Sequence, residues 1–496
     1  MEIINNKLSF LSKSKICDYY LGAFFMVLFY LIYRLFTRFD WSILLYSNFW
    51  FELILVTICF LLLFFIGKGL KKLFGFKTIT TGIVAFFAVT FFLNMVFSLV
   101  NISSVYFEVL ILSLVGGSAL ILNLFSLKSI KQKLIYFFLL VFIFVIFKFL
   151  PENAFNIKPQ TLGDVNYFWY PISLEYFKKG FASAFINSNL KGYGLFIHHF
   201  FVVIKRFVMF NSYSLEAFSF APKVLFFIAI LFLNELRVSK IVRILVSLIL
   251  ICFILTNDWI TQLLVNSLMG EGVAALFFAI MLNEILENVK EDKMGLKFIF
   301  LWLIMGILYI TKPFISYLVL LTPFIIITNF FNKNYNKLNI LKKFLVAFVL
   351  VFIGYILWNI LNNLNNFPSS AFSIGLPKVF GLSSVLLITK YWLNSRLSTL
   401  DFSVGFIAVL IGLILSKFKK IFINIPVFFV LFNLALVWGL YSTFWLGNAD
   451  IESSYRYFLQ IFYVAFIAFA FSLQYIWDES SIKYKFKTMV EHIKNK

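Results

Sequence analysis

Runs of about 16–23 mostly apolar residues recur along nearly the whole 496-residue chain, each long enough to cross the ~30 Å hydrocarbon core of a bilayer as a helix. Inside lipid a helix satisfies all of its own backbone polar groups, so this pattern leaves few alternative folds. The chain is 62% hydrophobic and 13% charged, against about 25% charged in soluble domains, so the apolar runs are too many to form one buried core. A membrane β-barrel would show shorter segments of alternating polarity. The pattern predicts an all-α polytopic membrane protein.

The expected spans are 21–36, 48–66, 78–100, 105–126, 134–150, 219–236, 241–256, 270–287, 296–311, 313–331, 342–361, 403–416, 424–443 and 457–474, about fourteen in all. The first follows Lys7, Lys13 and Lys15 and lacks a small-residue cleavage site, so it is expected to be retained. The net charge is +21. Its Lys and Arg are not gathered on a soluble module, as a nucleic-acid partner would require. They lie in short loops between apolar runs, such as KGLKK at 68–72 and KFKK at 417–420. The positive-inside rule accounts for that distribution and puts both termini in the cytoplasm. The bias to Phe, Lys, Asn and Ile fits an AT-rich bacterial genome, and with it an inner-membrane location. Cys17, Cys59 and Cys252 are widely spaced and form no disulfide or metal framework.

With this parity the longer polar segments 151–218, 257–269, 362–402 and 444–456 all face outside. The first contains GYGLFIHHFFVVIKRFVM at 193–210, which is apolar enough to suggest a span. Counting it as one would place every later basic loop outside, so it is expected to lie in the interface or dip partway in. The chain changes character near 127. An extension of four plainly connected spans (1–126) precedes a core (127–475) with all the long external loops, and a basic tail (476–496) follows.

Candidate functional residues sit on the external side. In GDVNYFWYPIS, Gly163 permits a tight turn before Asp164, and Tyr167 and Tyr170 follow. Aromatics at a membrane surface are ordinary belt residues. The acid is less ordinary: a carboxylate there can be a general base, a ligand for a divalent metal or the partner of a cation. Glu271 opens a span between Gly270 and Gly272. The helix dipole alone would favour it there, yet an acid at the edge of a span also suits a wet cavity. Asp258 lies at the outer end of the preceding span. Lys312, beside Pro313, could snorkel or meet a phosphate. Arg456 lies outside against the positive-inside trend, and its fork matches phosphate oxygens. His198 and His199 could bind phosphate or metal, although no Cys/His partners accompany them. No P-loop, GxSxG or Rossmann fingerprint is present.

In order and spacing these segments resemble the GT-C superfamily of membrane glycosyltransferases, which includes the lipid A aminoarabinose transferases and the protein O-mannosyltransferases. The resemblance rests on GDVNYFWYPISLEYFKKG (163–180), MGEGVAALFF (269–278), the Gly…Thr-Lys-Pro turn (306–313) and the Arg-Tyr start of a late span (456–457), and covers 127–475. The His of the bacterial acid–Tyr-His-Leu-Pro form is missing here. The resemblance implies a GT-C-like core with a long first external loop carrying interfacial helices. It also implies inverting transfer of a sugar from a polyprenyl-phosphate donor to a glycan, lipid or protein acceptor at the outer face. Asp164 would be the base and Glu271 its helper, with Tyr167, Tyr170, His198, His199, Asp258, Lys312 and Arg456 contacting substrate. The competing readings are a transporter or flippase and a surface-polysaccharide polymerase. A transporter would place acids near the midplane or break helices in matching halves, whereas these acids gather at one face. The topology is checked by cysteine scanning: positions 187 and 370 are expected to label from outside, and positions 71 and 419 only after permeabilisation.

Overall fold

A computed structural model describes residues 2–38, 45, 47–100, 104–149, 169–187, 194–208, 218, 220–256, 270–289, 294–311, 313–328, 336–366, 420–440, 461–481 and 483. The described residues are helical and contain no strand. Five helices among them are long and apolar enough to cross a membrane: Ser14–Thr37, Trp50–Phe74, Ile79–Leu99, Val105–Phe125 and Lys337–Leu364. The expected span at 403–416 lies outside the described residues, as does most of the loop at 362–402.

In chain order the helices are α1 (Glu2–Arg38), α2 (Ser47–Phe74), α3 (Ile79–Leu99), α4 (Val105–Phe125), α5 (Ile130–Phe149), α6 (Tyr170–Lys179), α7 (Phe181–Asn187), α8 (Phe196–Val208), α9 (Phe220–Glu235), α10 (Lys240–Thr256), α11 (Glu271–Asn288), α12 (Leu296–Leu308), α13 (Pro313–Leu321), α14 (Phe324–Ile327), α15 (Lys337–Leu364), α16 (Ile421–Leu440) and α17 (Phe462–Glu479). Three expected boundaries are corrected. The first helix does not begin at 21: α1 starts at Glu2, and its span-length apolar part is Ser14–Thr37. The second span does not stop at 66, because apolar residues on α2 continue to face the core as far as Leu70. The span expected at 313–331 is two short helices, α13 and α14, interrupted before Phe324. Pro323 has no N–H to continue the ladder, and Thr322 instead turns its hydroxyl onto the Val319 carbonyl at 2.6 Å.

At the centre stands α3, which packs against α2, α4, α7, α8, α9, α11 and α12. Its neighbour α11 is buried from Glu271 to Glu287. The packing therefore crosses residue 127: α3 comes from the first four spans and shares one hydrophobic core with α8, α9, α11 and α12. Lipid tails are as apolar as Leu, so helices associate in lipid through close packing and polar contacts. Glycine supplies the close packing. A Cβ on Gly82 of α3 would lie 2.0 Å from the Gly67 carbonyl oxygen of α2, and one on Gly354 of α15 would lie 2.0 Å from the Gly306 carbonyl oxygen of α12.

Polar contacts fix the first turn of α3. The Glu235 carboxylate, at the end of α9, accepts the Ile79 N–H at 2.6 Å, the Thr80 N–H at 2.9 Å and the Thr80 hydroxyl at 2.7 Å. Glu284 of α11 accepts the Lys77 N–H at 2.8 Å and the Thr81 hydroxyl at 3.1 Å. The Thr78 side chain caps the Thr81 N–H at 3.2 Å. Arg237 pairs with Glu287 at 2.9 Å. The turns after α2, α9 and α11 thus meet at one end of the bundle, all three being basic loops expected on one side. Helices from both chain ends also meet: the Ser481 N–H donates to Asp18 at 3.0 Å, and the Ser239 N–H to Gln474 at 2.7 Å.

Gly82→Ala is expected to lower stability by about 1–3 kcal/mol, the usual cost of overpacking. Gly117→Ala, where a Cβ meets nothing within 4 Å, is expected to be neutral or stabilising. Thermal unfolding of the two purified variants in one detergent checks the contrast.

Candidate functional site

The site lies at the opposite end of the bundle, where α3 finishes and α4 and α11 begin. Pro171 occupies the first turn of α6, where its missing N–H has no partner to lose. Gly180 ends α6 at φ 93°, a left-handed conformation that favours glycine. Any Cβ there would also come 2.9 Å from Glu108 Oε1. The chain turns directly into α7. Glu175 ties α6 to α7 by accepting from Ser183 at 2.7 Å and Asn187 at 2.9 Å. The Ser183 hydrogen bond is the main cause holding its carboxyl below the usual range.

Glu108, in the first turn of α4, is buried beneath that turn. It accepts the Phe181 N–H at the start of α7, and the Arg206 guanidinium of α8 at 2.9 Å. The same guanidinium nitrogen approaches the Tyr176 and Phe177 carbonyls at the end of α6, at 3.4 and 3.5 Å. Each charge thus faces the helix end that suits it, the carboxylate an N-terminus and the guanidinium a C-terminus. Lys205 lies over the Phe177 ring at 4.4 Å and the Phe218 ring at 5.1 Å, a cation–π arrangement that suits a buried ammonium.

The helix expected to lie in the interface is enclosed by protein instead. Every residue of α8 from Phe196 to Arg206 is buried, and 13 residues at ~1.5 Å each make it about 20 Å long, too short to span. The correction has a physical reason: the polar groups that suggested a water-facing side have partners inside the bundle. His199 Nε2 lies 2.9 Å from Thr90 Oγ1 of α3, and His199 Nδ1 lies 2.8 Å from the Tyr176 hydroxyl of α6. His198 Nδ1 lies 2.9 Å from Ser173 Oγ, and its ring stacks on Trp169 at 4.9 Å and 25°.

Three of the predicted segments converge here. Gly270 seats against the Ile197 side chain and the Trp169 ring, where its Cβ would come 2.4 and 3.1 Å from them. Glu271 follows it and is fully buried at the N-terminus of α11. Gly194, before α8, lies against the Ile310 carbonyl, two residues before Lys312. The structure therefore brings His198, Trp169 and the start of α11 together, with His199 on the α3 side of the same helix. Tyr170 points to Phe218, an edge-to-face pair at 5.9 Å. Asp164, Tyr167, Asp258, Lys312 and Arg456 lie outside the described residues.

Glu108, Thr90, Asn94, Ser173 and Tyr176 are participants that the sequence reading passed over. Two of the participating charges carried a signal. Glu108 is an acid one turn inside an apolar run, and Arg206 is a cation on the expected outer side, out of trend in the way Arg456 is. Among the described residues no three His, Cys, Asp or Glu side chains are grouped as a metal site would need. No protein-family model, curated protein or solved structure matches the chain.

Removing either partner of the buried Glu108–Arg206 pair is expected to cost about 3–5 kcal/mol, because the other charge stays buried and uncompensated. The double replacement Glu108→Leu with Arg206→Met is expected to cost less than either single change. A double-mutant cycle read by thermal unfolding checks this.

Proposed function

We propose that the protein is a membrane glycosyltransferase that moves a sugar from a polyprenyl-phosphate donor to a glycan, lipid or protein acceptor. The reaction takes place at the membrane face away from the basic loops, the outer face of a bacterial inner membrane. The observation that supports this reading is the meeting of three chain segments at one end of the bundle. Trp169, five residues after Asp164, stacks on His198. Gly270, next to Glu271, rests on Trp169 and Ile197. Gly194 rests on Ile310, close in sequence to Lys312. A transfer of this kind requires an acid, aromatics and a cation together, and these contacts involve the sequence neighbours of Asp164, Glu271 and Lys312.

In the proposed reaction Asp164 takes the proton of the acceptor hydroxyl. The acceptor oxygen bonds the anomeric carbon from the side opposite the phosphate, and the carbon–oxygen bond to phosphate breaks. The polyprenyl phosphate departs with that electron pair, and Lys312 and Arg456 balance its charge. Glu271 orients the acceptor or holds a cation. The interruption between α13 and α14 is the feature that would favour a transporter. A transporter needs a matching broken helix in the other half of the chain, and the described residues contain no such counterpart to it.

Asp164→Asn keeps the shape of the side chain and removes the base. It is expected to reduce transfer by 10²–10⁴-fold, roughly 3–5 kcal/mol of barrier, with Glu271→Gln milder. Mass spectrometry of envelope glycoconjugates and lipid-linked sugars, in cells that depend on each variant, reads the outcome. Accumulated donor with lost product supports the reaction. Wild-type pools in cells carrying correctly folded Asp164→Asn exclude it.

A further inference from the structure

Four buried side chains, Asn94, Tyr176, His199 and Thr90, form a hydrogen-bond chain, and pairing each donor with an acceptor assigns its direction. The Thr90 hydroxyl has one proton, and the Phe86 carbonyl one turn back on α3 lies at 2.8 Å. With its proton on a carbonyl of α3, Phe86 or Phe87, that oxygen only accepts towards His199 Nε2, 2.9 Å away, which assigns the ring proton to Nε2. On the far side of the ring, the Asn94 amide nitrogen donates to the Tyr176 hydroxyl at 3.4 Å. The Tyr176 proton is then free to point at His199 Nδ1, 2.8 Å away. Nδ1 thus accepts, and the ring is a neutral imidazole protonated at Nε2. Every proton points the same way, from Asn94 through Tyr176 and His199 to Thr90 and a carbonyl of α3. Such a chain polarises its members in a low-dielectric interior.

The chain begins and ends on α3 and passes through α6 and α8, the two helices on either side of the candidate site. Both ring nitrogens of His199 are engaged by protein, which leaves it no atom for a phosphate or a metal. Successive residues on an α-helix point ~100° apart. Aiming His199 at Thr90 therefore sets the rotation of α8 and turns its neighbour His198 to Trp169 and Ser173.

We propose that His199 is a positioning residue: held in the Nε2–H form between Tyr176 and Thr90, it sets the rotation of α8 and so holds His198 against Trp169, whose ring rests on Gly270 at the start of α11. The catalytic part of this assignment rests on the transferase reading, whereas the tautomer and the effect on His198 do not.

The chain has three histidines, His198, His199 and His492, so the test uses full-length protein labelled with ¹⁵N at histidine, in lipid vesicles. His198→Gln and His492→Gln assign the spectrum. At pH 7 His199 is expected to show a protonated Nε2 and a bare Nδ1. Tyr176→Phe should displace the Nδ1 signal, and Thr90→Val the Nε2 signal. Thr90→Val, a change made on α3, should also displace the His198 ring signals. A proton on Nδ1, an imidazolium, or His198 signals unmoved in Thr90→Val overturns the proposal. In the transfer assay Thr90→Val is expected to lower kcat at least tenfold with KM for the lipid donor unchanged. A raised KM with unchanged kcat would make His199 a binding group and overturn positioning. If wild-type protein gives the expected spectra but transfers no sugar, the transferase reading fails and the positioning of His198 stands.

Discussion

The architecture depends on how the first turn of α3 is held. A helix N-terminus leaves N–H groups without intrahelical partners and carries a partial positive charge. Here the Ile79 and Thr80 N–H groups donate to Glu235 of α9 and the Thr81 N–H to the Thr78 side chain, while Glu284 of α11 accepts the Thr81 hydroxyl and the Lys77 N–H just before the helix. Hydrogen bonds to a charged group contribute about 1.5–3 kcal/mol each. The clamp therefore fixes α3 against α9 and α11 at one end, and Gly67–Gly82 contact fixes it against α2. Seven helices then take their positions from α3.

At the other end the same physics runs through Glu108 and Arg206. Two opposite charges buried in an apolar bundle are costly unless their hydrogen-bonding capacity is used. Here the carboxylate also takes the first N–H of α7, and the guanidinium faces the last carbonyls of α6. The pair is a joint between four helices, tying α4 to the α6–α8 segment about 70–100 residues further along the chain. With the His199 chain it forms two separate attachments of the α6–α8 segment to the α3–α4 pair, one by charge and one by directed hydrogen bonds. The first attachment holds the segment in place, and the second sets its rotation.

This arrangement gives the proposed chemistry a rigid wall. The Trp169–His198 stack and the Gly270 turn sit on helices with both ends secured, so groups brought to them from neighbouring loops meet a fixed surface. The transfer proposed above would need support of this kind, because reacting groups must be held within a narrow range of geometry.

Composition and hydropathy alone pointed to an all-helical membrane protein, because runs of this length and polarity have no other stable form in lipid, and the described residues are helical, with five helices long and apolar enough to span. Hydropathy also located most helices to within a few residues. Loop charge grouped the turns after α2, α9 and α11 at one end, as the hydrogen bonds of Lys77, Glu235 and Glu284 now do from contacts. Glu271 was legible as a candidate because an acid at the edge of an apolar run is costly enough to attract notice. What the tertiary structure decided is where the polar residues inside or beside apolar runs find partners. A polar face on α8 is equally consistent with water, lipid headgroups or a protein interior, and only the positions of Thr90, Tyr176 and Glu108 resolve it in favour of the interior. Those partners lie 23 to 109 residues away in sequence, and local periodicity carries no information over that distance.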